Sequence, residues 1–118
     1  MSDFTHLSVE QAEDLLNRQD NVMLLDIRAA RDYSQGHDPR AIHLSDLTLG
    51  TLLKHTPKQT HLIVCCYQGK ASQDMARLFS DFGFSHSYSL DGGYEAWRQA
   101  HHQYRAPQRQ AERRQAAL

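Results

Sequence analysis

One cysteine in this sequence stands at the end of an apolar segment and directly before a short loop that contains glycine. The segment runs from His61 to Cys66, the loop occupies 67–70, and a helix is predicted to begin at about Ala71 or Ser72. In open α/β sheets, ligands bind beyond the carboxyl ends of the strands. The order of strand, cysteine, loop and helix therefore predicts a reactive site at Cys66.

Three features of this segment favour the thiolate of Cys66, which is the nucleophilic form. A loop this short can turn successive backbone N–H groups inward as a nest for an anion. The following helix contributes the positive end of its dipole, and Lys70 adds a full positive charge. We therefore expect a pKa below the free value of about 8.5. Such a thiolate can attack an electrophilic sulfur atom, and the resulting persulfide anion fits the same nest.

The alternative interpretation is structural, with Cys65 and Cys66 as small buried residues that end a core strand. Neighbouring residues on a strand face opposite sides, so a disulfide between them is not expected. Strand alternation and the loop register predict Cys66 at the mouth of the site and Cys65 inside. The two cysteines lack metal-type spacing, and the eight histidines lack the i, i+4 spacing of helical zinc sites. We expect no metal and no cofactor.

The rest of the chain supplies the elements that must position this loop. The patterns predict strands over 22–25, 41–44, 61–66 and 87–90, and helices over 9–18, 29–35, 46–56, 71–82 and 94–101. Ser8 and Gln11 have the spacing of a capping box. The continuous apolar run in 62–65 suits a central strand that is covered on both faces. Strands that alternate with helices predict a parallel sheet with helices on both sides.

Length and charge limit the classes of function. The chain has 118 residues and a formal net charge of -1, which suits one small domain and gives no reason to expect nucleic acid or an anionic membrane surface as a partner. The sequence has no apolar run near the roughly 20 residues that cross a bilayer, and its start lacks the pattern of a signal peptide. We expect a cytoplasmic monomer.

The composition changes after residue 102. The segment 103–118 holds four arginines against one acid, Glu112, and it has few large apolar residues. This composition predicts a basic tail that is poorly ordered or a frayed helix, with binding of an acidic partner as the alternative. We therefore expect a domain over 4–102 and a separate tail over 103–118.

Three blocks of the sequence, in order, carry a family resemblance. They are Leu25-Asp26-Ile27-Arg28 with Asp32-Tyr33, Gly36-His37 and Ala41-Ile42-His43-Leu44 after it, then Cys66-Tyr67-Gln68-Gly69-Lys70-Ala71-Ser72, then Leu90-Asp91-Gly92-Gly93-Tyr94-Glu95-Ala96-Trp97. Together they resemble the rhodanese family, and closely its small single-domain GlpE-type thiosulfate sulfurtransferases, as does the segment 47–50. The resemblance covers about 4–102.

The resemblance implies a fold and roles for particular residues. The fold would be rhodanese-like, a three-layer α/β/α arrangement with a mostly parallel central sheet of about five strands. Cys66 would carry the persulfide. Substrate would be held by Tyr67, Gln68, Gly69, Lys70, Ala71 and Ser72. Structural roles would belong to Asp26, Arg28, Asp32, Gly92, Gly93 and Trp97, with Arg28 paired to Asp32.

The chain departs from the family pattern at two places. Where the family commonly has Gly-His-Ile-Pro-Gly-Ala, this chain has Gly36-His37-Asp38-Pro39-Arg40-Ala41. We expect this difference to alter a surface turn. Gln68 and Lys70 differ from the commonest side chains of the loop, which leaves the preferred sulfur donor open.

The implied reaction moves sulfur from thiosulfate through Cys66 to cyanide or to a dithiol such as thioredoxin, and a link to glycerol metabolism follows from the GlpE resemblance alone.

One alternative is a phosphatase of the same fold, which needs a loop one residue longer and an arginine after it. Here Ser72 ends the loop, and the next arginine is Arg77. A binding module without catalysis is a second alternative, which the presence of the cysteine disfavours. A sulfur-relay protein for one specific protein acceptor is a third, which the sequence does not separate from the main prediction.

Overall fold

The computed structural model describes residues 3–101, in which strands and helices alternate. The strands are β1 (Thr5–Leu7), β2 (Val22–Asp26), β3 (Ala41–His43), β4 (His61–Cys65) and β5 (His86–Leu90). The helices are α1 (Val9–Arg18), α2 (Ala30–Gln35), α3 (Asp46–His55) and α4 (Ala71–Asp81), followed by α5 over 93–101. The tail predicted over 103–118 lies outside the described residues.

All five strands form one parallel sheet in the order β1-β5-β4-β2-β3. The predicted α/β class with a mostly parallel sheet of about five strands is confirmed. The sequence patterns missed β1, which has three residues and pairs with β5. Strand β4 lies at the centre, and its residues Leu62, Ile63 and Val64 are fully buried, as expected for an apolar strand covered on both faces.

Successive residues of the central strands pack into two separate cores. Leu62 and Val64 pack on one face with residues of α3 and α4, including Leu52 and Phe79. Ile63 and Cys65 pack on the other face with residues of α1 and α5, including Ala12 and Trp97. Because side chains alternate along a strand, this arrangement sends Cys65 toward α1 and α5 and the next residue of the chain toward α4.

The turn around Asp38 is more than a surface feature, which corrects the expectation from the sequence. Asp38 is buried and accepts hydrogen bonds from the backbone N–H and Nε of Arg40, both at 2.9 Å. It also accepts a 3.2 Å hydrogen bond from Trp97 Nε1. Burial raises the pKa of Asp38, but the hydrogen bonds from Arg40 and Trp97 outweigh it and leave the pKa below its usual value. Asp38 thereby fastens α5 to the turn before β3.

Candidate active site

The side chain of Cys66 is surrounded by hydrogen-bond donors of the segment 66–72, here called the cysteine loop. Cys66 directly follows β4 and is 3% exposed. Its Sγ accepts hydrogen bonds from the backbone N–H of Gly69 at 3.1 Å and of Ser72 at 3.3 Å. The Ser72 hydroxyl lies 3.3 Å from the same sulfur. These groups form a nest of hydrogen-bond donors around the sulfur, as expected for an anion site.

Two properties of the chain allow the loop to close around the sulfur. Ser72 lies in the first turn of α4, where backbone N–H groups have no partner within the helix and the helix dipole is positive. Gly69 has φ of +92°, and a Cβ there would lie 2.9 Å from the backbone N of Gly92. Glycine is therefore required at position 69 by both conformation and space.

The N-terminus of α5 holds the carbonyl groups of the cysteine loop. The backbone N–H of Tyr94 donates to the Cys66 carbonyl at 2.7 Å, and that of Glu95 donates to the Tyr67 carbonyl at 3.2 Å. Gly93 has φ of +59°, and a Cβ there would lie 2.5 Å from the Cys66 carbonyl oxygen. The resemblance implied only a structural role for Gly93, and the sequence did not reveal its contact with the loop because the two segments are distant along the chain.

Tyr67 fixes the outer side of the loop. Its hydroxyl donates to the Asp32 carboxylate and accepts a 3.0 Å hydrogen bond from the backbone N–H of Ala29. The expected pair of Arg28 and Asp32 is therefore wrong, because Asp32 contacts Tyr67 instead.

Arg28 pairs with Asp26, two residues before it. Its Nη2 lies 2.7 Å from Asp26 Oδ2 and also donates to the Gly36 carbonyl at 2.7 Å. The two side chains are buried, and the guanidinium stacks 3.7 Å from the centre of the Tyr94 ring. The i, i+2 spacing at the end of β2 is the signal that would have identified this pair. The pair therefore supports Tyr94, whose backbone N–H donates to the Cys66 carbonyl.

A pocket of about 380 Å³ opens beside the loop. It is lined by Arg28, Asp32, Gln35, Gly36, Tyr67, Gln68, Tyr94, Glu95 and Arg98. Cys66 is not among these residues, so the pocket flanks the sulfur site and does not contain it.

The surroundings set the two cysteine pKa values in opposite directions. Burial on its own raises the pKa of the Cys66 thiol, but hydrogen bonds from the Ser72 hydroxyl and from the backbone of Ser72, Gly69 and Gln68 outweigh it and lower the pKa below its ordinary value. Burial and the nearby charge of Asp26 raise the pKa of Cys65 far above its ordinary value. The surroundings therefore favour the thiolate at Cys66 and the thiol at Cys65.

The other residues predicted to hold substrate differ in position. The side chains of Gln68, Lys70 and Ala71 are exposed, whereas Gly69 and Ser72 are buried. Lys70 occupies the N-cap position of α4 and makes no side-chain capping bond with the described residues. It is thus a charge on the loop surface.

Residues 3–101 contain no group of three or more histidine, cysteine, aspartate or glutamate side chains placed to hold a metal ion. None of their helices has the length and apolar character needed to span a membrane.

Comparison with protein families and curated sequences gives consistent matches. The family model described as "Rhodanese-like domain" matches residues 8–100. A thiosulfate sulfurtransferase GlpE from Tolumonas auensis is 39% identical over 98 residues, which cover 83% of this chain and 92% of that protein.

Solved structures share the fold at low sequence identity. A rhodanese-like domain protein from Staphylococcus aureus superposes with a TM-score of 0.69 at 19% identity, covering 80% of this chain and 91% of that one. A Rhodopseudomonas palustris protein, described as a possible tyrosine phosphatase, superposes with a TM-score of 0.70 at 22% identity, covering 82% and 81%. At such identities the likeness concerns the fold alone.

Proposed function

The chain belongs to the rhodanese-like domain family, and we propose that it is a thiosulfate sulfurtransferase that carries sulfur as a persulfide on Cys66. The observation that carries this proposal is the convergence of the Gly69 and Ser72 backbone N–H groups and the Ser72 hydroxyl on one sulfur atom. Such a nest stabilises a thiolate and equally an anionic persulfide.

The first step is nucleophilic attack by the Cys66 thiolate on the outer sulfur of thiosulfate. A bond forms between the two sulfur atoms, and the bond inside thiosulfate breaks. Sulfite leaves with the electron pair, and the enzyme becomes Cys66–S–S⁻. No proton has to move, which agrees with a site that relies on hydrogen-bond donors and has no general base beside the sulfur in the described part of the chain.

The second step returns the thiolate. Cyanide attacks the outer sulfur of the persulfide, thiocyanate leaves, and the electron pair of the broken bond stays on Cys66. A dithiol such as thioredoxin would instead be oxidised to its disulfide while the transferred sulfur leaves as hydrogen sulfide. The nest stabilises Cys66 in both steps, first as nucleophile and then as leaving group.

The burial of the sulfur and the charge of the loop support a small anionic donor. Cys66 is 3% exposed, which leaves little access for a bulky reagent. Lys70 is exposed on the loop and would attract a dianion toward it. We assign the binding of the donor to the loop residues Tyr67, Gln68, Gly69, Lys70, Ala71 and Ser72.

The geometry of the loop disfavours phosphatase chemistry. A phosphatase of this fold needs an arginine at the end of its loop to hold phosphate in a bidentate manner. Ser72 occupies the end of this loop, and its hydroxyl contacts the sulfur. Arg77 donates to Asp74 and lies over the Phe4 ring, so it is engaged elsewhere.

The cellular setting follows from the same chemistry. Two free cysteines stay reduced most readily in a compartment that keeps thiols reduced, which supports the cytoplasm. We further propose that the protein acts as a monomer, that the basic segment 103–118 is separate from the domain over 4–102, and that the acceptor is a small nucleophile or a dithiol. A sulfur relay to one protein acceptor would use the same persulfide.

The decisive experiment is the intact mass of the protein after treatment with thiosulfate. We expect a gain of one sulfur atom, which cyanide removes with release of thiocyanate. Cys66→Ser should show no gain, and the matched Cys65→Ser variant should keep most of it. Equal loss in the two variants would refute the assignment of the nucleophile, and no gain in the unmodified protein would refute the proposed function.

A further inference from the structure

Two buried serine hydroxyls form a chain that ends at the Cys66 sulfur. The Ser72 hydroxyl lies 3.3 Å from Cys66 Sγ, and the Ser89 hydroxyl lies 2.7 Å from that of Ser72. Ser72 and Ser89 are both 0% exposed. Ser89 belongs to β5, so a residue from the neighbouring strand contacts the hydroxyl that faces the sulfur.

The register of the sheet explains why Ser89 reaches this position. Ser89 pairs with Val64 on β4, and Cys66 lies two residues beyond Val64 and therefore on the same face. That face is covered by α4, which begins with Ser72 in its first turn. Ser89 thus lies between β5 and the start of α4, and it is linked to the sulfur through the Ser72 hydroxyl.

Counting protons determines the direction of the hydrogen bonds. A serine hydroxyl has one hydrogen to donate and lone pairs to accept. When Cys66 is a thiolate, it can only accept, so the Ser72 hydroxyl donates to it. The 2.7 Å contact must then be a hydrogen bond donated by Ser89 to Ser72.

From this geometry we propose that Ser89 is a positioning residue. It acts on Cys66 by orienting the Ser72 hydroxyl toward the sulfur. With Ser89 as its donor, the Ser72 hydroxyl keeps its own hydrogen for the sulfur of the thiolate. A hydrogen bond to a charged acceptor is stronger than the reverse bond from a thiol, so the chain favours the thiolate. The proposal rests on the proposed function for its kinetic consequence, but the ionisation of the thiol can be measured without sulfur transfer.

The structure supplies a matched control on the same strand. Ser87 lies two residues before Ser89 on the same face of β5, and it is also buried. Its hydroxyl has no hydrogen-bond partner among the described residues. Ser87→Ala therefore removes a buried serine hydroxyl from the same environment without touching the chain that leads to Cys66.

The charged and titratable groups around the loop stay the same in all variants. They are Cys65 on β4, Asp26 and Arg28 at the end of β2, Asp32 on α2, Tyr67 and Lys70 in the loop, Asp74 and Arg77 on α4, Asp91 after β5, and Tyr94 and Glu95 on α5. A change in the ionisation of Cys66 between the variants would then result from the loss of a serine hydroxyl.

The test is the rate of alkylation by iodoacetamide as a function of pH, followed by intact mass, in the full-length protein. We expect Ser89→Ala to move the midpoint of Cys66 alkylation to higher pH, with rates that converge with the unmodified protein at high pH. The kcat/KM for thiosulfate should fall by about 3- to 10-fold at neutral pH, as expected for the loss of one hydrogen bond. Ser87→Ala should keep the original midpoint.

A double-mutant cycle tests whether Ser89 acts through Ser72. In a Ser72→Ala background, the further change Ser89→Ala should leave the midpoint where Ser72→Ala alone has put it. A midpoint for Ser89→Ala equal to that of Ser87→Ala would overturn the proposal, and so would an undiminished effect of Ser89→Ala in the Ser72→Ala background. Unfolding would expose Cys65 as well, which is buried in the folded protein, so intact mass distinguishes an unfolded variant, which gains two alkyl groups, from a folded one with a shifted midpoint, which gains one.

Discussion

The backbone N–H of Tyr94 donates a 2.7 Å hydrogen bond to the carbonyl oxygen of Cys66. The first turn of α5 thereby turns the peptide groups of the cysteine loop, with their carbonyl groups toward α5 and their N–H groups toward the sulfur. The site is consequently built from two helix N-termini, because α4 faces the sulfur and α5 faces the back of the loop.

Replacement of Gly93 should separate activity from stability. In Gly93→Ala the new Cβ would lie 2.5 Å from the Cys66 carbonyl oxygen and 2.6 Å from the Tyr67 carbonyl carbon. The loop has to move, and displacement of a catalytic group by about 1 Å costs about 10²-fold in rate. We expect a loss of that order in the rate of persulfide formation, measured by intact mass.

Gly83→Ala is the control for backbone strain. Gly83 has φ of +94°, and apart from its chain neighbours no described residue has an atom within 4 Å of the added Cβ. Both variants suffer the penalty of a positive φ, about 1–2 kcal/mol, and their melting temperatures should fall. Only Gly93→Ala should lose activity, so equal activity in the two variants would contradict the role of this close approach.

The pH dependence of stability should carry the signature of a depressed cysteine pKa. The hydrogen bonds outweigh burial and lower the pKa of Cys66 in the folded state. The thiolate then contributes stability that is fully present above the unfolded pKa of about 8.5 and is lost as the pH falls through the folded pKa. We expect the stability difference between the unmodified protein and Cys66→Ser to grow as the pH is raised, as measured by urea unfolding.

Cys65 should not contribute to this profile. Burial raises its pKa, so it remains a thiol across the range in which Cys66 titrates. In a Cys65→Ser background, the further change Cys66→Ser should alter the free energy of unfolding with the same dependence on pH as it does in the unmodified protein. If the stability difference between the unmodified protein and Cys66→Ser stays constant with pH, the folded state does not favour the Cys66 thiolate.

Lys70 should affect the capture of thiosulfate more than the chemical step. The side chain is exposed, and an exposed charge contributes about 1 kcal/mol or less. We expect Lys70→Ala to raise KM about 2- to 5-fold at low salt, with a smaller effect at about 0.15 M salt because the Debye length shortens to about 8 Å. Steady-state kinetics at two ionic strengths would measure this.

Lys54→Ala removes an equal charge from another part of the molecule. Lys54 is exposed and lies in the last turn of α3, which leads into the amino end of β4, whereas Cys66 follows the carboxyl end of that strand. We expect its KM to stay unchanged at both salt concentrations. A KM that rises equally in the two variants would show that net charge, and not the position of Lys70, attracts the donor.

Removal of one partner of the buried pair should destabilise the fold. Asp26 and Arg28 are 1% and 5% exposed, so Asp26→Ala leaves a buried guanidinium without its carboxylate. Breaking such a pair costs about 3–5 kcal/mol, measurable by urea denaturation. Asp74→Ala breaks the exposed pair with Arg77 and should cost at most about 1 kcal/mol. Similar losses in the two variants would contradict the structural role of the buried pair.

Local patterns in the sequence were sufficient to predict the class of fold and the position of the candidate nucleophile. The apolar run of β4 and the short loop before α4 are contiguous in the chain, so their residue types reveal both the strand and the nest. The strand β1 was not predicted because its three residues are too few to show an alternation of apolar and polar side chains. Asp32 was paired with the wrong residue because several charged side chains in that segment have compatible spacing.

The sequence by itself determined which residues could carry chemistry, because a strand, a glycine loop and a helix N-terminus are local features. Only the tertiary structure decided what surrounds them. The order β1-β5-β4-β2-β3 brings β5 beside β4, so Ser89 reaches the Ser72 hydroxyl and the amides of α5 reach the loop carbonyls. The order of strands in a sheet follows from packing across the whole chain, and no local pattern of residues contains it.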